Sequence, residues 1–270
     1  MARLAVSQLT TLRWTFEEDV EHYAAVGLSG IGVWRHKLAD VGDERGMEML
    51  LAAGLAVSSL QWAGGFTGSD GRSHDDSLED ACEAVRLASA MQASCLLVHS
   101  GARGTHTFKH ARRLFREALN ELLPYAEDHE VTLAIEPMHG CGSDWTFLSC
   151  LDETLALADS YDSPFLRIAL DTYHWGHEPS LLSRLPQIAP RIALVQLGDA
   201  RQPPGGEPNR CQLGDGLLPL RSIVHTLAVN GYDGFYEVEL MGEEIEAADY
   251  HDILTRSCRT FNDWTAAKVS

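Results

Sequence analysis

The sequence predicts a (β/α)8 TIM barrel, an α/β fold in one domain spanning residues 1–270. Short apolar runs recur eight times along the chain, and amphipathic stretches of helical length separate them. Polar residues close several of these runs at the carboxyl end. Regular alternation of strand and helix demands parallel pairing with the helices outside, and eight repeats over this length suggest closure into a barrel. A doubly wound open sheet is the competing architecture, but no GxGxxG follows the first run.

In chain order the strand candidates are LAVSQL (4–9), GIGVW (30–34), AVSSLQW (56–62), CLLVHS (95–100), VTLAIE (131–136), LRIALD (166–171), IALVQL (192–197) and FYEVEL (235–240). The clearest helix runs from Phe108 to Asp128, where Ala111, Leu114, Phe115, Ala118, Leu122 and Ala126 recur at three- and four-residue steps. Pro124 is expected to strain or kink its end. Gly27, Gly54 and Gly231 each follow an amphipathic stretch and precede a strand, as left-handed residues past a helix end do. Pro219 suits the first turn of a helix running to Asn230, where its missing N–H is not needed. The only long irregular segment runs from Asp199 to Leu213, and such a loop in a compact barrel is more often functional than idle.

A formal charge of −18 repels the phosphate backbone of nucleic acid and an anionic membrane surface, so a small-molecule substrate is favoured. Cys82, Cys95, Cys141, Cys150, Cys211 and Cys258 form no CxxC pair, and Cys95 opens an apolar run, which reads as a buried reduced thiol. A cytoplasmic location follows as an expectation, since no stretch resembles a signal peptide or a membrane span.

Glu136, Asp171, Gln196 and Glu239 stand at the carboxyl ends of the last four runs, Gln196 and Glu239 one residue short of the end. Parallel barrel strands converge there on one mouth, so three carboxylates and an amide would face a common point, the ligand set of a hard divalent cation. Clustered like charges cost stability unless a cation neutralises them. Glu237 shares the strand face of Glu239 and is its rival as a ligand.

The segments AIEPMH (134–139), LDTYHW (170–175), VQLGDAR (195–201), LGDG (213–216) and GYDGFYEVEL (231–240) resemble, in order and spacing, the xylose isomerase-like barrel superfamily of sugar isomerases and epimerases. The likeness is carried by the second half of the chain; the first half agrees in barrel pattern alone. The resemblance implies that Glu136, Asp171, Gln196 and Glu239 bind one Mn²⁺, Mg²⁺ or Co²⁺ ion. Many relatives have His where this chain has Gln196, as hydroxypyruvate isomerase-like members do not. An amide oxygen is a harder donor than imidazole, so Mn²⁺ or Mg²⁺ gains on Zn²⁺.

The resemblance also implies substrate contacts by His174 and by Arg201, whose fixed cation would steady an enediolate. Arg210 reads as a solvated loop residue. His99 ends the fourth run, and Trp34 and Trp62 end the second and third, so these three are expected to line the mouth; Trp14 and Trp145 are placed to join them. Arg35, Lys37 and His139 lie near the same end. Glu243 and Glu244 occupy a place after the eighth run where such barrels often cradle phosphate, which points to a non-phosphorylated substrate.

The reaction expected is isomerisation or epimerisation of a small ketose or hydroxy-keto acid, with Glu136 and Glu239 moving the proton. The alternative is dehydration of a cyclic keto-polyol such as an inosose or a dehydroshikimate-like compound. Cleavage of abasic DNA is opposed by the acidic surface and the lack of a His-rich, three-metal ligand set. Barrels of this superfamily often pair, so a homo-oligomer is possible.

Overall fold

The computed structural model describes residues 2–205 and 209–266, with the side chain of Cys141 outside that set. Strands β1 (Arg3–Ser7), β2 (Gly30–Trp34), β3 (Ala56–Gly64), β4 (Leu96–His99), β5 (Leu133–Ile135), β6 (Leu166–Asp171) and β7 (Ile192–Leu197) are followed by a small antiparallel pair, β8 (Asp199–Ala200) and β9 (Arg210–Cys211), and by β10 (Phe235–Val238). The long strands close into a parallel barrel in the order β1-β10-β7-β6-β5-β4-β3-β2. All eight runs read from the sequence are strands of this barrel. The pair β8–β9 folds back over the mouth from the end of β7, and residues 206–208 of the loop between them lie outside the described set.

The outer layer holds α1 (Phe16–Ala25), α2 (Arg35–Val41), α3 (Asp43–Ala53), α4 (His74–Ala90), α5 (Phe108–Asp128), α6 (Leu151–Asp159), α7 (Thr172–Trp175), α8 (Leu181–Ile188), α9 (Leu220–Val229), α10 (Glu243–Ala247) and α11 (Tyr250–Ala266). Their starts are fixed by side chains: Thr15 and Glu18 form a reciprocal capping box on α1, as Ser73 and Asp76 do on α4. Helix α5 buries Ala111, Phe115, Ala118, Leu119, Leu122, Leu123 and Ala126 on one face. Each large apolar side chain on it contributes roughly 2 kcal/mol by leaving water. The helix continues through Pro124 to Asp128. Proline removes the bond to the carbonyl of Asn120, but that residue is exposed and water can serve it. Gly27, Gly54 and Gly231 have φ of 78°, 69° and 84°, the left-handed values their positions imply.

The core has two parts. Most of it lies between strands and helices. Inside the ring the apolar plug is small, consisting of Ala5, Cys95, Leu97, Ala134, Ala169, Leu194 and Phe235. Cys95 is fully buried, and burial pushes its thiol far above the usual range. Among the described residues no helix is long and apolar enough to cross a membrane.

Candidate metal centre

Strand geometry sends alternate side chains into the ring, so Glu237 and Glu239 both enter it from β10 and the residue after it. They do not share one environment. The Glu237 carboxylate accepts from Ser58 Oγ (2.5 Å), Ser59 Oγ (2.8 Å) and Gln61 Nε2 (3.0 Å) within the ring. Burial still lifts this carboxyl to about 7. Glu239, one layer nearer the mouth, lines an open cavity of about 400 Å³. Its Oε2 accepts from Gln196 Nε2 (2.6 Å) and Gln61 Nε2 (3.3 Å). Burial, reinforced by the charges of Asp171, Glu136 and Glu237 and opposed by Arg210, raises Glu239 to about 8.

Glu136 follows β5 and faces the same cavity, with its Oε2 2.8 Å from His99 Nε2. Burial acts to raise its carboxyl, but the His99 bond and the charges of His99, His174 and Arg210 carry it below the ordinary value. Two glutamates of one cavity are thus driven in opposite directions. Asp171 ends β6 and caps α7 through Tyr173 N (2.8 Å), which fixes its other oxygen toward the centre. Asp171 does not itself line the cavity; it meets it through His174 Nε2 (3.7 Å) and Arg210.

Arg210 corrects the sequence reading. It is 4% exposed, not solvated. From β9 its guanidinium enters the mouth, donating to Asp171 Oδ2 (2.8 Å) and to the Glu239 carbonyl (2.8 Å) and lying 3.3 Å from Glu239 Oε1. It also sits over the Tyr173 ring at 4.7 Å, and the Tyr173 hydroxyl donates to Asn209 next door (2.6 Å). The segment that carries it is anchored by buried Asp199, which accepts from the backbone N–H of Ala200, Gly214, Gly216 and Leu218. A side chain at Gly216 would collide with that carboxylate, and one at Gly198 would press on Arg210 Nη1. Arg201, by contrast, is exposed and pairs with Glu244 on α10, away from the cavity lining.

The remaining expected residues fall as follows. His99, His174, Trp34, Trp62 and Trp145 line the cavity, together with Gln61 of β3, a residue next to Trp62 that the sequence reading does not single out. Trp14 packs instead against Tyr250 and His22. Lys37 is buried in an ion pair with Asp19 (2.7 Å). His139 N donates to His174 Nδ1 (3.3 Å), which leaves the proton of the neutral ring on Nε2, toward Asp171.

Glu136, Asp171 and His174 bring one polar atom each within 4.8 Å of one another, a grouping of metal-ligand type in which the two carboxylates, not the His174 ring protonated on Nε2, offer free lone pairs. A second observation favours a cation: Gln196 Oε1 is buried and has no hydrogen-bond partner among the described residues. A buried carbonyl oxygen without a donor is costly, and an ion bound beside it would remove the cost. The donors present therefore fit a divalent metal.

A family model described as a xylose isomerase-like TIM barrel matches residues 20–260. A solved protein from Sinorhizobium meliloti 1021 superposes with a TM-score of 0.88 at 24% identity, covering 96% of this chain and 97% of that one. The IolI protein with a bound zinc atom superposes at 0.84 and 17% identity, covering 98% of each chain. An L-ribulose 3-epimerase does so at 0.81 and 18%, covering 98% of this chain and 95% of its own. At these identities the structures speak for the fold alone. L-ribulose-5-phosphate 3-epimerase UlaE of Shigella flexneri serotype 5b (strain 8401) is 26% identical over 162 residues, 59% of this chain and 51% of that protein. The chain thus spans about half the length of the curated relatives it matches.

Proposed function

The chain belongs to the xylose isomerase-like TIM barrel family, and from that premise we propose that it is a metal-dependent isomerase or epimerase of a small, non-phosphorylated ketose or hydroxy-keto acid. The observation that carries this reading is the meeting of Glu136, Gln196 and Glu239 in one cavity wall with Asp171 tied to it, while Gln196 Oε1 finds no donor among the described residues. Relatives named as 3-epimerases support the class of reaction.

In this reading Glu136, Asp171, Gln196 and Glu239 hold one divalent cation. Mn²⁺ or Mg²⁺ suits their oxygens best, with Co²⁺ as a third choice. Bound there, the cation supplies Lewis acidity that lowers the pKa of the C–H between a ketone and its neighbouring hydroxyl. Glu136, kept ionised by His99, removes that proton as general base. Glu239, on the other side of the cavity, is the second proton carrier, returning a proton to the neighbouring carbon in isomerisation or to the opposite face in epimerisation. We assign to Arg210 the role expected of Arg201, a buried positive charge beside the developing enediolate. His174, protonated on Nε2, donates to a substrate oxygen, and Trp34, Trp62 and His99 wall the ring. Glu243 and Glu244 open α10, and two acids oppose a phosphate there. A cytoplasmic, carbohydrate-processing enzyme acting as one domain, alone or as a homo-oligomer, completes the proposal.

The test is incubation of the Mn²⁺-loaded protein with a panel of ketoses and keto acids in D₂O. Deuterium appearing at carbon in one of them, with the isomer or epimer formed, is the expected result. An enone or aromatic product absorbing in the near ultraviolet would instead make it a dehydratase, and absence of exchange across the panel would overturn proton abstraction.

A further inference from the structure

Beside the mouth lies a second cavity of about 580 Å³, larger than the one that holds the carboxylates. The two share Trp34, Gln61, Trp62 and Trp145 in their walls, so whatever occupies the first is in reach of the second. Each lies in the size range of small-molecule sites. Nothing in the proton-transfer scheme uses the second one.

Its lining combines aromatic faces with a fixed polar floor. Trp62 and Trp145 meet edge to face at 5.0 Å, and Trp145 is 50% exposed, among the largest apolar surfaces the described residues leave in solvent. Trp34 Nε1 is buried without a hydrogen-bond partner among the described residues. On the floor, Arg35 donates to both oxygens of Asp80 (3.1 and 2.8 Å), and Arg72 donates to Asp70 (2.9 Å), Asp80 (3.2 Å) and the Gly64 carbonyl (2.9 Å). Both guanidinium groups are therefore already engaged. Asp43 and Glu83 join Asp70 and Asp80, so four carboxylates face two arginines. This balance repels a phosphate or carboxylate tail and leaves acceptors for hydroxyl groups. A flat ring with hydroxyls on its rim satisfies both the stacking faces and the carboxylates.

We propose that this cavity is a second substrate subsite that takes an uncharged sugar ring joined by a glycosidic bond to the ketose in the mouth. The inference rests on the proposed function and deepens it: the substrate is a ketose glycoside, not a free or phosphorylated monosaccharide.

The experiment titrates tryptophan fluorescence of the Mn²⁺-loaded protein with D-fructose and with its glucosyl derivatives on O1, O3, O4, O5 and O6, namely trehalulose, turanose, maltulose, leucrose and palatinose. At least one of these binds about tenfold more tightly than fructose, a gain matched to one added stacked ring and its hydrogen bonds. In Ala39→Trp, which adds bulk at an exposed α2 position lining only the second cavity, that gain is lost while fructose affinity stays unchanged. Equal or weaker binding of every disaccharide, or a gain that survives Ala39→Trp, overturns the subsite. Deuterium exchange at carbon reports the reaction separately, so a fructose-exchanging protein with no disaccharide preference refutes the subsite alone. Tight disaccharide binding without exchange in any sugar refutes the reaction alone.

Discussion

The two halves of the barrel contribute different things to one mouth. From β5 onward come the charges Glu136, Asp171, Arg210 and Glu239 and the amide of Gln196, all at most 4% exposed. From β1 to β4 come mostly walls: Leu9, Leu12, Trp34, Gln61, Trp62 and His99, together with much of the lining of the second cavity. In the proposed reading the difference separates reaction chemistry from recognition, because side chains far apart in the chain would act on different sides of one ligand. Substitutions in the later half, and at His99, which bonds Glu136, should therefore strike turnover, and those among the other walls affinity.

The largest effect is expected from Glu239→Gln, which removes a proton carrier and should lower kcat by about a hundredfold or more while the barrel stays folded by circular dichroism. Normal turnover in that variant would take Glu239 out of the reaction. Arg210→Met should split two measurements. Loss of its positive charge makes Mn²⁺ bind about tenfold more tightly by calorimetry, while kcat falls about a hundredfold for want of anion stabilisation. Weaker Mn²⁺ binding would mean that Arg210 is structural only. His99→Gln should cost about tenfold in kcat and move the acidic limb of the pH profile upward, since His99 is what holds Glu136 down. Trp62→Ala changes a wall that bonds no carboxylate, and should raise KM about fivefold with kcat nearly unchanged. An equal fall in kcat would erase the division between the halves.

The smallest effect concerns pH and the metal-free protein. Glu239 and Glu237 rise to about 8 and about 7 from an ordinary 4.5, so both bind protons more tightly folded than unfolded. Their contribution is complete below about 4.5 and is lost as pH climbs toward 8. Thermal unfolding of the metal-free protein should show Tm falling between pH 5 and 8. Glu239→Gln should flatten that slope, and Mn²⁺ should raise Tm more at pH 8 than at pH 6, because binding displaces the protons. A slope unchanged in Glu239→Gln would mean that Glu239 stays ionised in the folded state.

Arg201 and Arg210 mark the limit of reading a site from residue order. Both lie in the segment after β7, and a family likeness pointed to the first. The antiparallel pairing of Asp199 with Cys211 and Ala200 with Arg210 carries the second inward and leaves the first to meet Glu244 outside. The available hint was that Arg210 stands just before LGDG, a segment whose backbone amides are spent on Asp199. Glu237 and Glu239 were likewise inseparable by pattern, since alternation puts both in the ring. Only β3, reaching across the ring with Ser58 and Ser59, decides which carboxylate is enclosed and which faces the cavity.

By itself the amino-acid order determined the eight strands, their helical spacers, the closing glycines and the gathering of polar residues at one rim. Those are local properties, set by side-chain period and by backbone conformation at single positions, and they survive without knowledge of partners. Tertiary structure alone decided that Arg210 stands between Asp171 and Glu239, that a Gln196 oxygen goes unbonded among the described residues, and that two cavities meet at a wall of tryptophans. Charge and shape at a point depend on every chain segment that reaches it, and that sum exists only once the ring has closed.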